Sequence, residues 1–224
     1  MKVAEEILNI VYPRNIYCVC CNDMLPLGRV HSLCDKCIEN LKWISENPFT
    51  EKLDEFSFDE VLSLVYYDMY AQNIVHKLKF QSCPYVAKPI GRLMGELLNR
   101  QDVTIVAVPM YIEKKKLRGY NQAELLGIYA AKASKAYFLK DGLIKIKPTA
   151  SMRSLRADDR KNSIRDSVIV NEALVGQIKG RNIVVVDDVI TTGTTADICA
   201  EALKNCGAKK VTILSFAAVN YKGN

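Results

Sequence analysis

No run of apolar residues in this 224-residue chain approaches the roughly 18 that a spanning helix needs. The densest, Ile183–Val186 and Phe216–Val219, are strand-sized. Glu5, Glu6 and Asn9 interrupt the apolar residues at the N-terminus, which argues against a secretory signal and makes the cytoplasm the expected compartment. The sequence has no Gly-x4-Gly-Lys-Ser/Thr, excluding a Walker-type nucleotidase, and no Gly-x-Gly-x-x-Gly after a strand, excluding a dinucleotide fold. Internal repeats and low-complexity tracts are also lacking. The only histidines are His31 and His76, and neither falls in the loops singled out below, so no general base stands out. What remains is ordinary globular material: 49% hydrophobic and 25% charged residues exclude disorder, collagen and coiled coil for the bulk of the chain. The length suits one medium domain, or one domain with a small appendage, able to bury roughly 70% of its unfolded surface.

Charge and cysteine are distributed unevenly. The net charge is +6, yet the segment from Glu113 to Arg165 alone holds 14 Lys/Arg against 5 Asp/Glu. The rest of the chain is therefore slightly acidic, and the concentrated surplus points to an anionic partner, either a phosphate or a nucleic acid. A solvated basic surface is the bland alternative. Of the eight cysteines, Cys18, Cys20, Cys21, Cys34 and Cys37 crowd into twenty residues, while Cys83, Cys199 and Cys206 read as small buried hydrophobes.

Cys18-x-x-Cys21 and Cys34-x-x-Cys37 have the spacing of two metal knuckles. Each pair of thiolates can be presented by one tight turn, and two pairs complete a tetrahedron around structural zinc. A redox dithiol is the competing reading. Cys20 is a spare, and His31 stands close enough in sequence to substitute for one ligand. Four protein ligands leave no open position, so such an ion would hold a fold together rather than hydrolyse a substrate.

Ahead of this cluster, Val3, Ile7, Leu8 and Val11 predict a short amphipathic helix over 3–11 that Pro13 ends. Leu41–Ile44 reads as a helix end, and Asn47-Pro48 with the acidic stretch after it as a boundary, giving a module over 1–50 and a larger domain over 51–224. In the larger part, apolar runs at 61–67, 104–109, 143–146, 167–170, 183–186 and 211–218 alternate with helical patterns at 70–80, 90–98, 122–136 and 196–205. Continuous apolar strands joined by helices predict an α/β fold, a largely parallel sheet covered on both faces.

The sharpest local signal is Ile183–Thr195, the apolar strand residues Ile183, Val184, Val185 and Val186 followed by Asp187, Asp188, Val189, Ile190, Thr191, Thr192, Gly193, Thr194 and Thr195, then a helix. The reading is of a buried strand that stops at two carboxylates and turns through hydroxyls onto a helix N-terminus. Free amides, threonine hydroxyls and the positive helix end suit a phosphate monoester. Gly193 lets the backbone approach it closely. Paired carboxylates accept hydrogen bonds from a vicinal diol, so a ribose beside that phosphate would be satisfied.

The segment IVVVDDVITTGTT (183–195) resembles the phosphoribosyl-pyrophosphate signature of type I phosphoribosyltransferases. Taken with the four-cysteine cluster, HKLKF (76–80), AVPM (107–110) and LRGYNQAELL (117–126), nearly the whole chain resembles the ComF family of competence proteins. The resemblance implies a type I phosphoribosyltransferase-like sheet behind an N-terminal zinc module. It implies that Asp187 and Asp188 hold the ribose hydroxyls, that Val189 and residues 191–195 lie at the 5′-phosphate, and that Val108, Pro109 and Met110 form the pyrophosphate loop. Arg118, Gly119, Asn121 and Gln122 would belong to a flexible closing loop. Lys114, Lys115, Lys116 and Arg118 put cations where a leaving pyrophosphate needs them, which casts Lys116 and Arg118 as catalytic. Magnesium is expected with the diphosphate. Thr149-Ala-Ser-Met152 departs from the family's T-x-x-Q, and Arg160-Lys161-Asn162 only partly matches its R/N element, so acceptor recognition carries over least.

Three functions follow from the resemblance. One is transfer of the pentose to a nitrogen acceptor. Another is handling of incoming single-stranded DNA with a helicase partner, for which Arg153, Arg156, Arg160 and Lys161, interleaved with tyrosines, would track the backbone. The third is a silent regulator that binds phosphoribosyl pyrophosphate without turnover.

Overall fold

The structure is a computed structural model and describes residues 16–26, 32–46, 48–80, 83–147 and 167–220. The expected helix over 3–11, His31, Thr149–Met152 and the four cations Arg153, Arg156, Arg160 and Lys161 lie outside the described residues.

In chain order the elements are α1 (Asp35–Asn40), β1 (Glu60–Tyr66), α2 (Met69–Phe80), α3 (Ala87–Leu98), β2 (Thr104–Ala107), α4 (Ile112–Arg118), α5 (Gln122–Ser134), β3 (Tyr137–Phe138), β4 (Leu143–Lys145), β5 (Val168–Val170), β6 (Asn182–Ile190), α6 (Thr194–Asn205) and β7 (Lys210–Ala218). Five strands form one wholly parallel sheet in the order β1-β7-β6-β2-β3. The unbroken apolar runs of β6 and β7 make sense in this setting, because both faces are covered. Val184, Val186, Leu214 and Phe216 pack on the side of α2, α3 and α5, while Ile183, Val185, Val211 and Ile213 pack on the side of α6. Helix α3 lies so close to α5 that a Cβ at Gly91 would stand 2.7 Å from the Leu126 carbonyl oxygen. Only glycine permits that approach.

Chain direction around the sheet locates the site. From β2 the chain moves outward to β3, then returns to lay β6 on the other side of β2. Crevices in open α/β sheets form at such a reversal, beyond the carboxyl ends of the two strands. Here those ends carry residues 108–110 and Asp187–Thr195.

Several sequence expectations are corrected. β6 does not stop at the two carboxylates but runs through them to Ile190, because β7 continues alongside and pairs Asp187 with Ser215 and Val189 with Ala217. The runs at 143–146 and 167–170 stay out of the parallel sheet and form a small antiparallel pair, β4 with β5. Leu41–Ile44 is extended rather than helical: Ile44 N donates to Leu64 O and Tyr66 N to Lys42 O, so the segment covers the outer edge of β1. Of the three cysteines expected to be buried hydrophobes, Cys199 is buried while Cys83 and Cys206 are partly exposed. Cys18, Val19, Cys20, Leu25 and Leu33 share one apolar cluster with Ile74, Val75 and Leu78 of α2.

Candidate functional site

The threonine bend stands open. Thr191, Thr192, Thr194 and Thr195 are exposed, and a small concavity of about 30 Å³ is lined by Thr191, Thr194 and Thr195 with Asp187 and Gly193. Within the bend Thr192 Oγ1 lies 2.9 Å from Thr194 Oγ1 and accepts from Thr194 N at 3.4 Å. Gly193 precedes α6 with φ +79, and a Cβ there would meet Phe56 Cε1 at 2.9 Å. Glycine is thus required by the left-handed turn and by the Phe49–Phe56–Phe58 ring cluster beneath it, in addition to any approach by a ligand. Ser57 N donates to Asp197 Oδ1 at 2.7 Å and fastens the cluster to the first turn of α6.

The two acids differ. Asp188 is buried, and its Oδ2 has the Lys79 ammonium at 2.9 Å but no hydrogen bond among the described residues. Asp187 is partly open to solvent, and its Oδ1 accepts from the Asp188 amide at 2.8 Å. Desolvation of the carboxyl, and after that the neighbouring Asp188, pushes Asp187 well above the usual range; the Asp188 amide and Lys79 act in the opposite sense.

Residues 108–110 begin alongside, with Val108 N donating to Val186 O at 2.9 Å. Asn121 is buried and uses both ends of its amide: Nδ2 donates to Val108 O at 3.0 Å and Oδ1 caps α5 by accepting from Ala123 N at 3.1 Å. Gln122 is buried and accepts from Arg118, whose guanidinium lies 5.6 Å from the Phe80 ring centroid. Tyr120 Oη donates to Leu78 O at 2.7 Å. The LRGYNQ element therefore forms a short helix, a left-handed turn at Gly119 (φ +84) and a buried helix cap, interlocked with the HKLKF end of α2. Lys114 and Lys116 are exposed, whereas Lys115 is committed to Glu124 at 2.7 Å.

A cavity of about 400 Å³ opens between residues 107–110, the α4–α5 corner and the β4–β5 pair. Phe138, Lys115, Glu124, Asp141 and Lys145 are among its walls. Burial draws the Lys145 ammonium below its ordinary range, with Asp187 opposing that shift. Sequence reasoning missed this cavity and gave no role to Lys79.

Against the side of α2 that carries Lys77, the Sγ atoms of Cys18, Cys21, Cys34 and Cys37 all lie within 4.8 Å of one another. Four thiolates about a tetrahedral ion stand about 3.8 Å apart. Cys21 Sγ and Cys34 Sγ are 3.6 Å apart, and Cys34 N donates to Cys18 Sγ at 3.4 Å. Burial pushes the Cys18 thiol up, but the amides of Cys21, Cys34 and Cys20 outweigh it and bring it down to about 7. The donor set fits a thiophilic tetrahedral ion. Cys20 is outside this set of four, and its Sγ donates to Tyr70 O at 3.7 Å.

A family model described as a phosphoribosyl transferase domain matches residues 133–223. The chain is similar to competence protein F of Haemophilus influenzae, at 25% identity over 194 residues covering 82% of this chain and 83% of that protein. It is also similar to the DNA utilization protein YhgH of Escherichia coli, at 29% identity over 148 residues. There it covers 62% of this chain and 63% of the relative, slightly under two thirds of that protein's length. Among solved structures, one titled as the allosteric regulatory enzyme of purine biosynthesis overlaps 58% of this chain and 25% of its own, with a TM-score of 0.43 and 21% identity.

Proposed function

We propose, from the premise that this chain is a ComF-like protein of type I phosphoribosyltransferase fold, that it binds phosphoribosyl pyrophosphate at the ends of β2 and β6. The open threonine bend beside Asp187 and Asp188, facing residues 108–110 across the strand reversal, is the observation that carries the reading. The 5′-phosphate would take the amides and hydroxyls of 191–195, with the α6 N-terminus behind it. The diol would donate to Asp187 and Asp188. Magnesium suits a diphosphate and diol oxygens and would neutralise charge on the leaving group. Lys116 and Arg118 are the cations proposed to meet the charge that develops on pyrophosphate. Zinc is the proposed occupant of the cysteine set, in a structural role. Isothermal titration with phosphoribosyl pyrophosphate should give one magnesium-dependent site. Absence of binding in the presence of magnesium would refute the reading.

The relatives' names, competence protein F and DNA utilization protein, support a role connected with DNA; uptake of the single strand and a helicase partner rest on the family resemblance. The cations proposed for the strand are Arg153, Arg156, Arg160 and Lys161. Single-strand affinity should fall steeply with salt, and replacing Arg153, Arg156 and Arg160 should flatten that slope by about one unit per lost phosphate contact. A flat salt response in the unaltered protein leaves only the small-molecule role.

The cavity beside residues 107–110 favours a second reading, an active transferase. An acceptor nitrogen would form a bond to the anomeric carbon as the bond to pyrophosphate oxygen breaks, and the nitrogen's proton would pass to water or to the released pyrophosphate. The protein would supply positioning and charge stabilisation. Acceptor-dependent release of pyrophosphate tests it.

A further inference from the structure

Lys77 and Lys79 are two residues apart on α2, so their side chains leave the helix roughly 200° apart. Lys77 turns into the cysteine cluster. Its Nζ donates to Val19 O, Cys20 O and the Asn22 side-chain oxygen, each at 2.9 Å, and the residue is only 8% exposed. All three acceptors belong to the first knuckle turn. Asn22 holds a left-handed φ of +67, and its N–H donates to Cys18 O at 2.9 Å. The oxygens that receive Lys77 are therefore presented only while that turn is closed. Lys79 turns the other way, onto Asp188 at 2.9 Å. The same end of α2 supplies the Leu78 carbonyl that receives Tyr120 and the Phe80 ring beneath Arg118.

We propose that the four-cysteine centre regulates the pentose-phosphate site through Lys77, metal occupancy fixing α2 and thereby the placement of Lys79 against Asp188. The inference rests on the pentose-phosphate reading of that site. A bound ion keeps the knuckle closed around its thiolates. A buried ammonium that loses three oxygens has to move or draw in water, since an uncompensated charge is not tolerated in an apolar cluster. Lys77 is rooted on a rigid helix, so its movement carries α2. Lys79 then leaves a carboxylate whose Oδ2 has no hydrogen bond among the described residues, and Tyr120 and Arg118 lose their rests. The route is a continuous set of contacts from Cys18 to Asp188. Coupling of binding equilibria is reciprocal, so metal and sugar phosphate strengthen each other.

The test uses the full chain loaded with zinc. Zinc release to a colorimetric chelator is timed with and without saturating phosphoribosyl pyrophosphate and excess magnesium, binding being verified by titration. The expected result is release slowed at least about fivefold in the unaltered protein, with the slowing lost in Lys77→Met. Hydrogen exchange on the ligand-free protein supplies a readout independent of the sugar phosphate and of the variant's folding. Stripping zinc should speed exchange in 69–80 and 117–121 and leave α6 unchanged. Failure to bind phosphoribosyl pyrophosphate would defeat the functional reading alone, and the exchange pattern would then decide the coupling. Unchanged release in a protein that binds the sugar phosphate, full slowing retained in Lys77→Met, or unchanged exchange in 69–80 and 117–121 would each overturn the inference.

Discussion

Lys79 and Asp188 form an ion pair of 2.9 Å across the space between α2 and β6, with the carboxylate almost wholly buried and the ammonium about a quarter exposed. It joins two sequence motifs more than a hundred residues apart. Removing one partner of a buried pair costs more than the pair itself contributes, because the survivor is left uncompensated. Lys79→Met should lower stability by about 2–3 kcal/mol, and Lys79→Met with Asp188→Asn should recover most of it. For a domain of this size that is a shift of roughly 4–10 °C in Tm, read by calorimetry. Additive losses in the double variant would show that the two residues do not depend on each other.

The cysteine set makes a selective prediction. Purified protein should carry about one zinc per chain, Cys37→Ser should lose it, and Cys20→Ser should keep it, because Cys20 lies outside the set of four mutually close sulfurs and its Sγ donates to Tyr70 O. Metal analysis of the three proteins decides. Loss of zinc in Cys20→Ser would mean that the ligand set is misassigned.

Gly193 is predicted to resist replacement even without ligand. A side chain there takes a left-handed φ and collides with Phe56, so Gly193→Ala should cost about 1–3 kcal/mol. The check is thermal unfolding of ligand-free protein. An unchanged midpoint would show that the bend relaxes freely.

Acid stability should depend on Glu60. The Arg100 guanidinium, bonded to both carboxylate oxygens at 2.8 Å, holds its carboxyl down at about 2; burial opposes this, and Lys210 assists. A folded value below the unfolded one means the stabilisation is complete above the ordinary glutamate range and is lost as pH falls from about 4.5 toward 2. Up to about 3 kcal/mol is involved. Denaturant titrations across that window should show a shallower acid limb in Glu60→Gln than in the unaltered protein. Identical limbs would remove Glu60 from the account.

Legibility in the sequence followed contiguity. The acids and the threonine bend were readable because thirteen consecutive residues carry strand, charge, turn and helix start together. Both knuckles were readable for the same reason. The cavity was not, since its walls come from residues between 107 and 171 on several elements, and no short pattern encodes their meeting. The spacing of Lys77 and Lys79 already places them on opposite sides of a helix, but neither acceptor is local: Lys77 reaches back to Val19 and Lys79 forward to Asp188. The run of β6 beyond its carboxylates was hidden too, because it depends on pairing with β7 rather than on the apolar pattern of β6 itself.

The measurement closest to the central claim is a crystal structure grown with phosphoribosyl pyrophosphate and magnesium. The account predicts density for the 5′-phosphate on residues 191–195, with the diol on Asp187 and Asp188. Density for the sugar phosphate elsewhere, with the bend and both carboxylates untouched, would contradict it.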